Sequence, residues 1–296
     1  MLAPLGIVSR RPVTLAWPLP TEQTLLGRMA GENFPVASRL LGCRLRSRLM
    51  ALYGWARLVD HLGDEYPGDR LAALDWVDAE LSRALDDPAL GVHPLVGRAA
   101  AVVQDVGADP ELLRDLIRAN RIDQDTTTTY RSFEDLLGYC RWSANPVGRL
   151  VLAVFSASDP PRLAWSDSVC TALQIIEHCY DVAEDAAAGR VYLPAEDLAR
   201  FGVEATDLAP AGPEIRALIA FQSARARRIL ADGEPLVASL AGRARIAVAG
   251  FVAGGHAALD ALGGAGFDPV AAAGSGRSVA TVIHGVRLWA PKRAPA

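Results

Sequence analysis

Asp60-His61-Leu62-Gly63-Asp64 and Asp181-Val182-Ala183-Glu184-Asp185 each set two aspartates four residues apart. Both stretches lie in runs whose apolar residues repeat at helical spacing, so the two carboxylates of each pair are expected on one helix face. A single pair of this kind is ordinarily a solvated acidic face, and the like charges cost only a few tenths of a kcal/mol. Aspartate is nevertheless a poor residue for a helix interior, and here each pair has polar companions on its own stripe. Tyr53, Arg57, Asp60 and Asp64 follow one another among Leu52, Trp55, Ala56, Leu58 and Val59. Gln174, Glu177, Asp181 and Asp185 do the same among Ile175, Ile176, Cys179 and Val182. Two such stripes facing each other across a helical core would hold divalent cations. Mg²⁺ is commonly bound by one or two carboxylates together with substrate phosphates, so the pattern points to chemistry on a diphosphate.

The rest of the chain reads as all-α. Aromatic residues make up 6% of 296 residues, and runs of β-branched residues are short. Helical patterning is expected at roughly 24–31, 34–42, 45–64, 70–85, 95–105, 110–124, 133–155, 165–188, 195–201, 213–232, 235–263 and 276–288. Proline and glycine punctuate it at Pro67-Gly68, Asp86-Asp87-Pro88, Gly107-Ala108-Asp109-Pro110, Asp159-Pro160-Pro161 and Ala209-Pro210-Ala211-Gly212-Pro213. The connections are short and no repeat or long linker stands out, so residues 1–296 are read as one domain with a disordered tail at 290–296. Pro146, inside the run at 133–155, is expected to kink it and free a carbonyl near Trp142. Asn145 beside it offers an amide that orients a water or a phosphate. Asp123, Gln124 and Asp125 are read as an exposed helix end, and His61 as a rim residue off the Asp60/Asp64 stripe.

A formal net charge of -4 gives no support for nucleic-acid binding. Cys43, Cys140, Cys170 and Cys179 have neither the spacing of a zinc site nor that of a disulfide framework, and they read as reduced core residues. The N-terminus lacks a secretory pattern, and the longest apolar stretch, Ile246 to Leu259, is too short to span a bilayer. The expectation is a cytoplasmic protein with at most peripheral contact with the inner face of the membrane.

Longer motifs surround the two acidic stretches. The first extends from Tyr53-Gly54-Trp55-Ala56-Arg57 to Asp64-Glu65, and the second from Ala172-Leu173-Gln174 through Asp185 into Gly189-Arg190-Val191-Tyr192-Leu193-Pro194. Between them stand Tyr130-Arg131-Ser132-Phe133-Glu134-Asp135-Leu136 and Tyr139-Cys140, and upstream Glu32-Asn33-Phe34-Pro35-Val36-Ala37-Ser38. With these motifs the chain resembles the squalene/phytoene synthase family of head-to-head isoprenoid synthases, most closely from about Asn33 to Val203. The resemblance implies a helical bundle with a central active-site cavity, Mg²⁺ as cofactor and a prenyl diphosphate as substrate. It implies that Asp60 and Asp64 serve one metal cluster and Glu177, Asp181 and Asp185 the other. Arg57 and Arg190 would contact phosphate oxygens, Gln174 would contact substrate, and Tyr53 and Tyr192 would lie at the reacting end.

Three departures from the family's usual pattern resemble its hydroxysqualene-forming branch. These are the early Glu32-to-Ser38 stretch, the central Arg141-Trp142-Ser143-Ala144-Asn145-Pro146-Val147-Gly148, and Glu177 and Tyr180 where most members carry Asn and Arg. That branch implies ionisation of presqualene diphosphate and capture of the cation by water. It also implies partnership with a presqualene diphosphate synthase and a hydroxysqualene oxidoreductase. Two alternatives stay open: a transferase condensing two prenyl diphosphates, and a non-catalytic helical protein that binds an isoprenoid diphosphate or a partner.

Overall fold

The computed structural model describes residues 15–19, 21, 24–25, 41–87, 92–125, 129–208 and 212–274; helices joined by turns make up these residues, with no strand among them. The expected helices at 24–31, 34–42 and 276–288 and the tail at 290–296 lie wholly or largely outside the described residues.

The helix α1 (Cys43–Asp60) carries the first acidic stripe and is buried continuously from Ala51 to Asp60. A helix covered on all sides belongs to the middle of a bundle, and its neighbours supply the cover. These are α3 (Pro94–Val106), α4 (Glu111–Ile122) and α6 (Asn145–Val154), while α2 (Arg70–Asp86) packs on α3, on α4 and on the turn His61–Glu65 that follows α1. Leu52, Trp55, Leu74, Leu95, Ile117 and Leu150 meet in this half of the core. Full burial of each such side chain contributes about 1.5–3 kcal/mol. Local chemistry starts the helices where the punctuation placed them: the Asp69 side chain accepts from Ala72 N at 2.9 Å, and α5 (Phe133–Ser143) opens with a reciprocal Ser132/Asp135 capping box.

The second half is built on α7 (Pro160–Tyr180), which packs against α6, α10 (Pro213–Gly233) and α12 (Gly242–Gly264). Ile175, Ile176, Ile219, Leu230 and Leu259 form its core. Between them run α8 (Val182–Ala187) and α9 (Ala195–Phe201); α11 (Pro235–Ser239) and α13 (Pro269–Gly274) complete the described chain.

The structure departs from the sequence reading at its breaks. The run at 133–155 is two helices parted at Ala144, because Pro146 occupies the first turn of the second one. The run expected from 165 begins at Pro160, where Asp159 caps the Arg162 N–H and the two prolines fit the first turn. The run at 235–263 divides at Leu240 and Ala241, both extended. Cys43 is exposed rather than in the core, while Cys140 and Cys179 are buried, and all four thiols are free. The helix α12 is longer than its apolar stretch suggested, and by length and composition alone it would span a bilayer. However, 44% of its most apolar window is buried inside the protein.

Candidate functional site

Arg57, Asp60 and Asp64 are 1%, 6% and 5% exposed, so the first acidic pair is not a solvated face. After Asp60 the helix widens into one π-helical turn, His61–Glu65. A π turn closes five residues apart rather than four, so Asp64 is carried off the ideal stripe. Gln124 Nε2 holds this turn by donating to Gly63 O at 2.9 Å. Arg57 lies 4.0 Å from Asp60 Oδ2 and 4.0 Å from Glu65 Oε1. Neither Arg57 Nε nor Asp60 Oδ2 has a hydrogen bond. Burial raises the Asp60 pKa well above the usual carboxylate range, Asp64 adds to this, and Arg57 and Asn120 oppose it. His61 is partly buried, with Nδ1 3.2 Å from Glu65 Oε2.

The second stripe approaches from α7. Gln174, Glu177 and His178 are buried, and Gln174 Nε2 reaches Glu177 Oε2 at 3.5 Å and His178 Nε2 at 3.4 Å. The helix ends at Tyr180, and Asp181 adopts φ -97°, ψ 10° before α8 resumes. Asp181 and Asp185 are half-buried, and the Asp185 N–H donates to Asp181 O at 2.8 Å. The two acidic pairs therefore differ: one is enclosed, the other borders solvent.

Arg190 ties the halves together. Its Nη2 donates to Asp64 Oδ1 at 2.8 Å, and its Nη1 lies 3.7 Å from Asp123 Oδ2. Its backbone N–H donates to Asp185 O at 2.9 Å. Tyr192, two residues on, donates its hydroxyl to Asp123 Oδ1 at 2.8 Å, and Tyr139 donates to Asp123 Oδ2 at 2.7 Å. The Tyr192 ring stacks on His178 with centroids 4.0 Å apart. Burial, followed by the Asp123 charge, pushes both phenols well above their ordinary pKa, so they remain donors. Asp123 is itself pushed up to about 6 by burial, against the pull of Arg190 and the two phenols.

Asp123 corrects the sequence reading: it is 6% exposed and central rather than an exposed helix end. Tyr139, His178 and Asn120 were also not singled out as site residues. Leu116, Asn120 and Asp123 follow one another at helical spacing, the first two on the buried face of α4 and Asp123 just past its end. Asn145 is buried and its Oδ1 accepts from Thr171 Oγ1 at 3.0 Å, so that oxygen joins α6 to α7. Tyr53 is fully buried in the α1 core. Tyr180 turns away from the acidic stripe and donates to Ala258 O on α12 at 2.9 Å.

An apolar cavity adjoins this polar end. It encloses about 660 Å³, open solvent at its mouth included, and is lined by Val147, Gly148, Val151, Val169, Leu173 and Gln174 among others. Gly148 keeps the α6 backbone low: a Cβ there would stand 2.3 Å from Ser166 Oγ and 2.5 Å from Cys170 Sγ. Gln174 belongs both to this wall and to the acidic cluster.

The donor set suits a hard cation. It consists of carboxylate oxygens, one of them a buried Asp60 oxygen without a hydrogen bond. Among the described residues, no three His, Cys, Asp or Glu side chains converge closely enough to hold an ion by themselves. Mg²⁺ shared with phosphate oxygens does not require such a cluster.

The description squalene/phytoene synthase matches residues 28–283. The hydroxysqualene synthase of Rhodopseudomonas palustris is 35% identical over 71% of each chain. That of Zymomonas mobilis is 36% identical over 60% of this chain and 59% of its own length. The phytoene synthase of Mycobacterium tuberculosis is 30% identical over 60% of this chain and 57% of its own. Among solved structures, squalene synthase HpnC from Alicyclobacillus acidocaldarius superimposes with a TM-score of 0.74 at 35% identity, covering 84% of this chain and 94% of that one. A dehydrosqualene synthase in complex with ligand gives 0.76 at 21% identity, covering 90% and 94%, a likeness of fold.

Proposed function

The chain belongs to the squalene/phytoene synthase family, and we propose that within it this protein ionises presqualene diphosphate with Mg²⁺ and lets water capture the cation, giving hydroxysqualene and diphosphate. The observation that carries the reading is the junction at Gln174, which lines the apolar cavity and also reaches buried Glu177 and His178, whose ring stacks on Tyr192 beside Arg190 and Asp123. An isoprenoid diphosphate has the matching polarity, with a long hydrocarbon and a highly charged head.

Asp60, Asp64, Glu177, Asp181 and Asp185 would hold Mg²⁺. When bound, it neutralises charge growing on the departing diphosphate. The protein's own residues do the remaining work. Arg57 and Arg190 present planar forks suited to phosphate oxygens. Val147, Val151, Val169 and Leu173 shield the hydrocarbon from bulk water, so that the cation meets water only at the polar end of the site. Tyr139 and Tyr192 keep their protons on Asp123 and so do not donate into the cavity.

The choice of presqualene diphosphate over two prenyl diphosphates follows from the second stripe. Most of the family carries a cation beside Asp181, and here Tyr180 is spent on α12. Glu177 adds a negative charge where most members carry a neutral amide. Both changes lower the positive charge available to a second diphosphate. A transferase condensing two prenyl diphosphates is the second reading, favoured by the names of the phytoene synthase and squalene synthase relatives. The hydrocarbon substrate and product make transient contact with the inner face of the membrane the expected location for a cytoplasmic protein.

The deciding experiment supplies purified protein and Mg²⁺ with presqualene diphosphate or farnesyl diphosphate, without a nicotinamide, and identifies products by mass spectrometry. Hydroxysqualene from the first substrate alone supports the proposal. A C30 product from farnesyl diphosphate assigns the protein to the condensing reaction. Turnover of neither, or turnover that survives EDTA, overturns the metal-dependent reading.

A further inference from the structure

We propose that Asp123 is a positioning residue of this site, itself fixed by the hydroxyls of Tyr139 and Tyr192 and holding Arg190 where the diphosphate is received. The proposal rests on the reading of the site as a diphosphate site. Asp123 lies at the end of α4, outside both acidic stripes, yet each of its oxygens is committed. Oδ1 accepts from Tyr192 at 2.8 Å and Oδ2 from Tyr139 at 2.7 Å, with Arg190 Nη1 3.7 Å away. The three partners come from α5 and from the segment after α8, so one carboxylate joins three separately folded pieces.

The geometry also says why such an anchor is needed. In this structure Arg190 spends its other fork nitrogen on Asp64. A cation at Asp64 would compete for that carboxylate and repel the guanidinium. Asp123 is then the remaining charge partner that keeps Arg190 at the site rather than letting it swing into solvent. Tyr192 reinforces this, because Arg190 Nη1 donates to its hydroxyl at 3.4 Å and the ring is fixed on His178. Neighbours on α4 and just past it brace the same region: Gln124 holds the π turn through Gly63 O, and Asn120 lies against Asp60.

Electrostatics alone makes the opposite forecast, which gives the test its sign. Asp123→Asn removes a negative charge near the bound anion and, by charge alone, tightens binding. Loss of an anchor loosens it. The measurement is titration calorimetry of inorganic diphosphate with Mg²⁺ on the full chain, alongside kcat and KM with presqualene diphosphate. For Asp123→Asn, a diphosphate Kd at least fivefold weaker and a kcat at least 30-fold lower are expected, with an unchanged circular dichroism spectrum. In an Arg190→Lys background the same substitution should cost less than threefold in Kd, because coupled residues are not additive. Tighter or unchanged binding, or the same loss in both backgrounds, overturns the proposal. If Asp123→Asn does not fold, Asp123→Glu keeps the charge but displaces it by one methylene. Weaker diphosphate binding is again expected, and wild-type affinity overturns the idea. Wild-type protein that binds no diphosphate refutes the site reading itself, a result distinct from failure of Asp123's role.

Discussion

Gly63 lies between the two aspartates of the first pair, and a methyl group added there meets Asn120. A Cβ on its backbone would stand 2.1 Å from Asn120 Oδ1, 2.9 Å from Asn120 Cγ and 3.2 Å from Asn120 Cβ. The amide can swing away, but Asn120 Cβ is fixed to α4, so rotation alone does not clear the contact. Swinging also breaks the bond from Asn120 Nδ2 to Leu116 O, 3.1 Å long in a buried setting. Overpacking of a filled core costs about 1–3 kcal/mol, and a lost buried hydrogen bond about 1 kcal/mol. Gly63→Ala should therefore destabilise the protein by about 2–4 kcal/mol. The same displacement moves Asp60, which Asn120 lies against, and a 1 Å error in a positioned group costs on the order of 100-fold in turnover. Urea unfolding followed by circular dichroism gives the first number, and a diphosphate-release assay the second. The companion Gly63→Ala/Asn120→Ala removes the contacts at 2.1 and 2.9 Å, leaves only the one at 3.2 Å to Cβ, and should be more stable than Gly63→Ala alone. A Gly63→Ala protein within about 0.5 kcal/mol of wild type with unaltered kcat, or a double variant less stable than Gly63→Ala alone, would refute the reasoning, since surface-like changes fall in that range.

Other substitutions probe the remaining parts of the site. Asp60→Ala and Asp181→Ala should each abolish turnover while leaving the helical circular dichroism signal intact, and full activity in either would remove that residue from the metal site. Tyr180→Phe removes a buried donor from Ala258 O and should cost about 1–3 kcal/mol in unfolding free energy, with KM unchanged because the side chain faces α12. Asp123 has a folded pKa of about 6, above its ordinary 3.8, so the folded state binds its proton more tightly than the unfolded chain does. Its stabilising contribution is full below pH 4 and is lost as pH rises through 6, a change of about 3 kcal/mol. Subtracting the stability–pH curve of Asp123→Asn from that of wild type should expose this fall between pH 4 and 6, and a flat difference would contradict it.

Much of the site was legible because periodicity is a local property. Tyr53, Arg57 and Asp60 share a face of one helix, as do Gln174 and Glu177, and apolar neighbours at helical spacing imply that those faces are covered. The helix start at Pro213 is likewise a consequence of proline's missing N–H and fixed φ; the same chemistry accounts for the start at Pro160 and the break before Pro146, which the apolar pattern had set at 165 and inside one run. The run at 165–188 looked continuous because nothing local marks Asp181 as a break. The chain turns there as the Asp181–Asp185 segment hands on to Arg190.

The amino-acid order alone thus determined the all-helical class, the two acidic stripes and the polarity of their companions, since each depends on residues within a few turns of one another. Only the tertiary structure decided which stripe is enclosed and which borders solvent, and that Arg190 meets Asp64 across 126 positions of chain. It also decided that Asp123, at a helix end, is roofed by Tyr139 and Tyr192. The physical reason is that a side chain's burial and charge partners depend on how helices dock, and a docking partner distant in sequence leaves no trace in the local pattern.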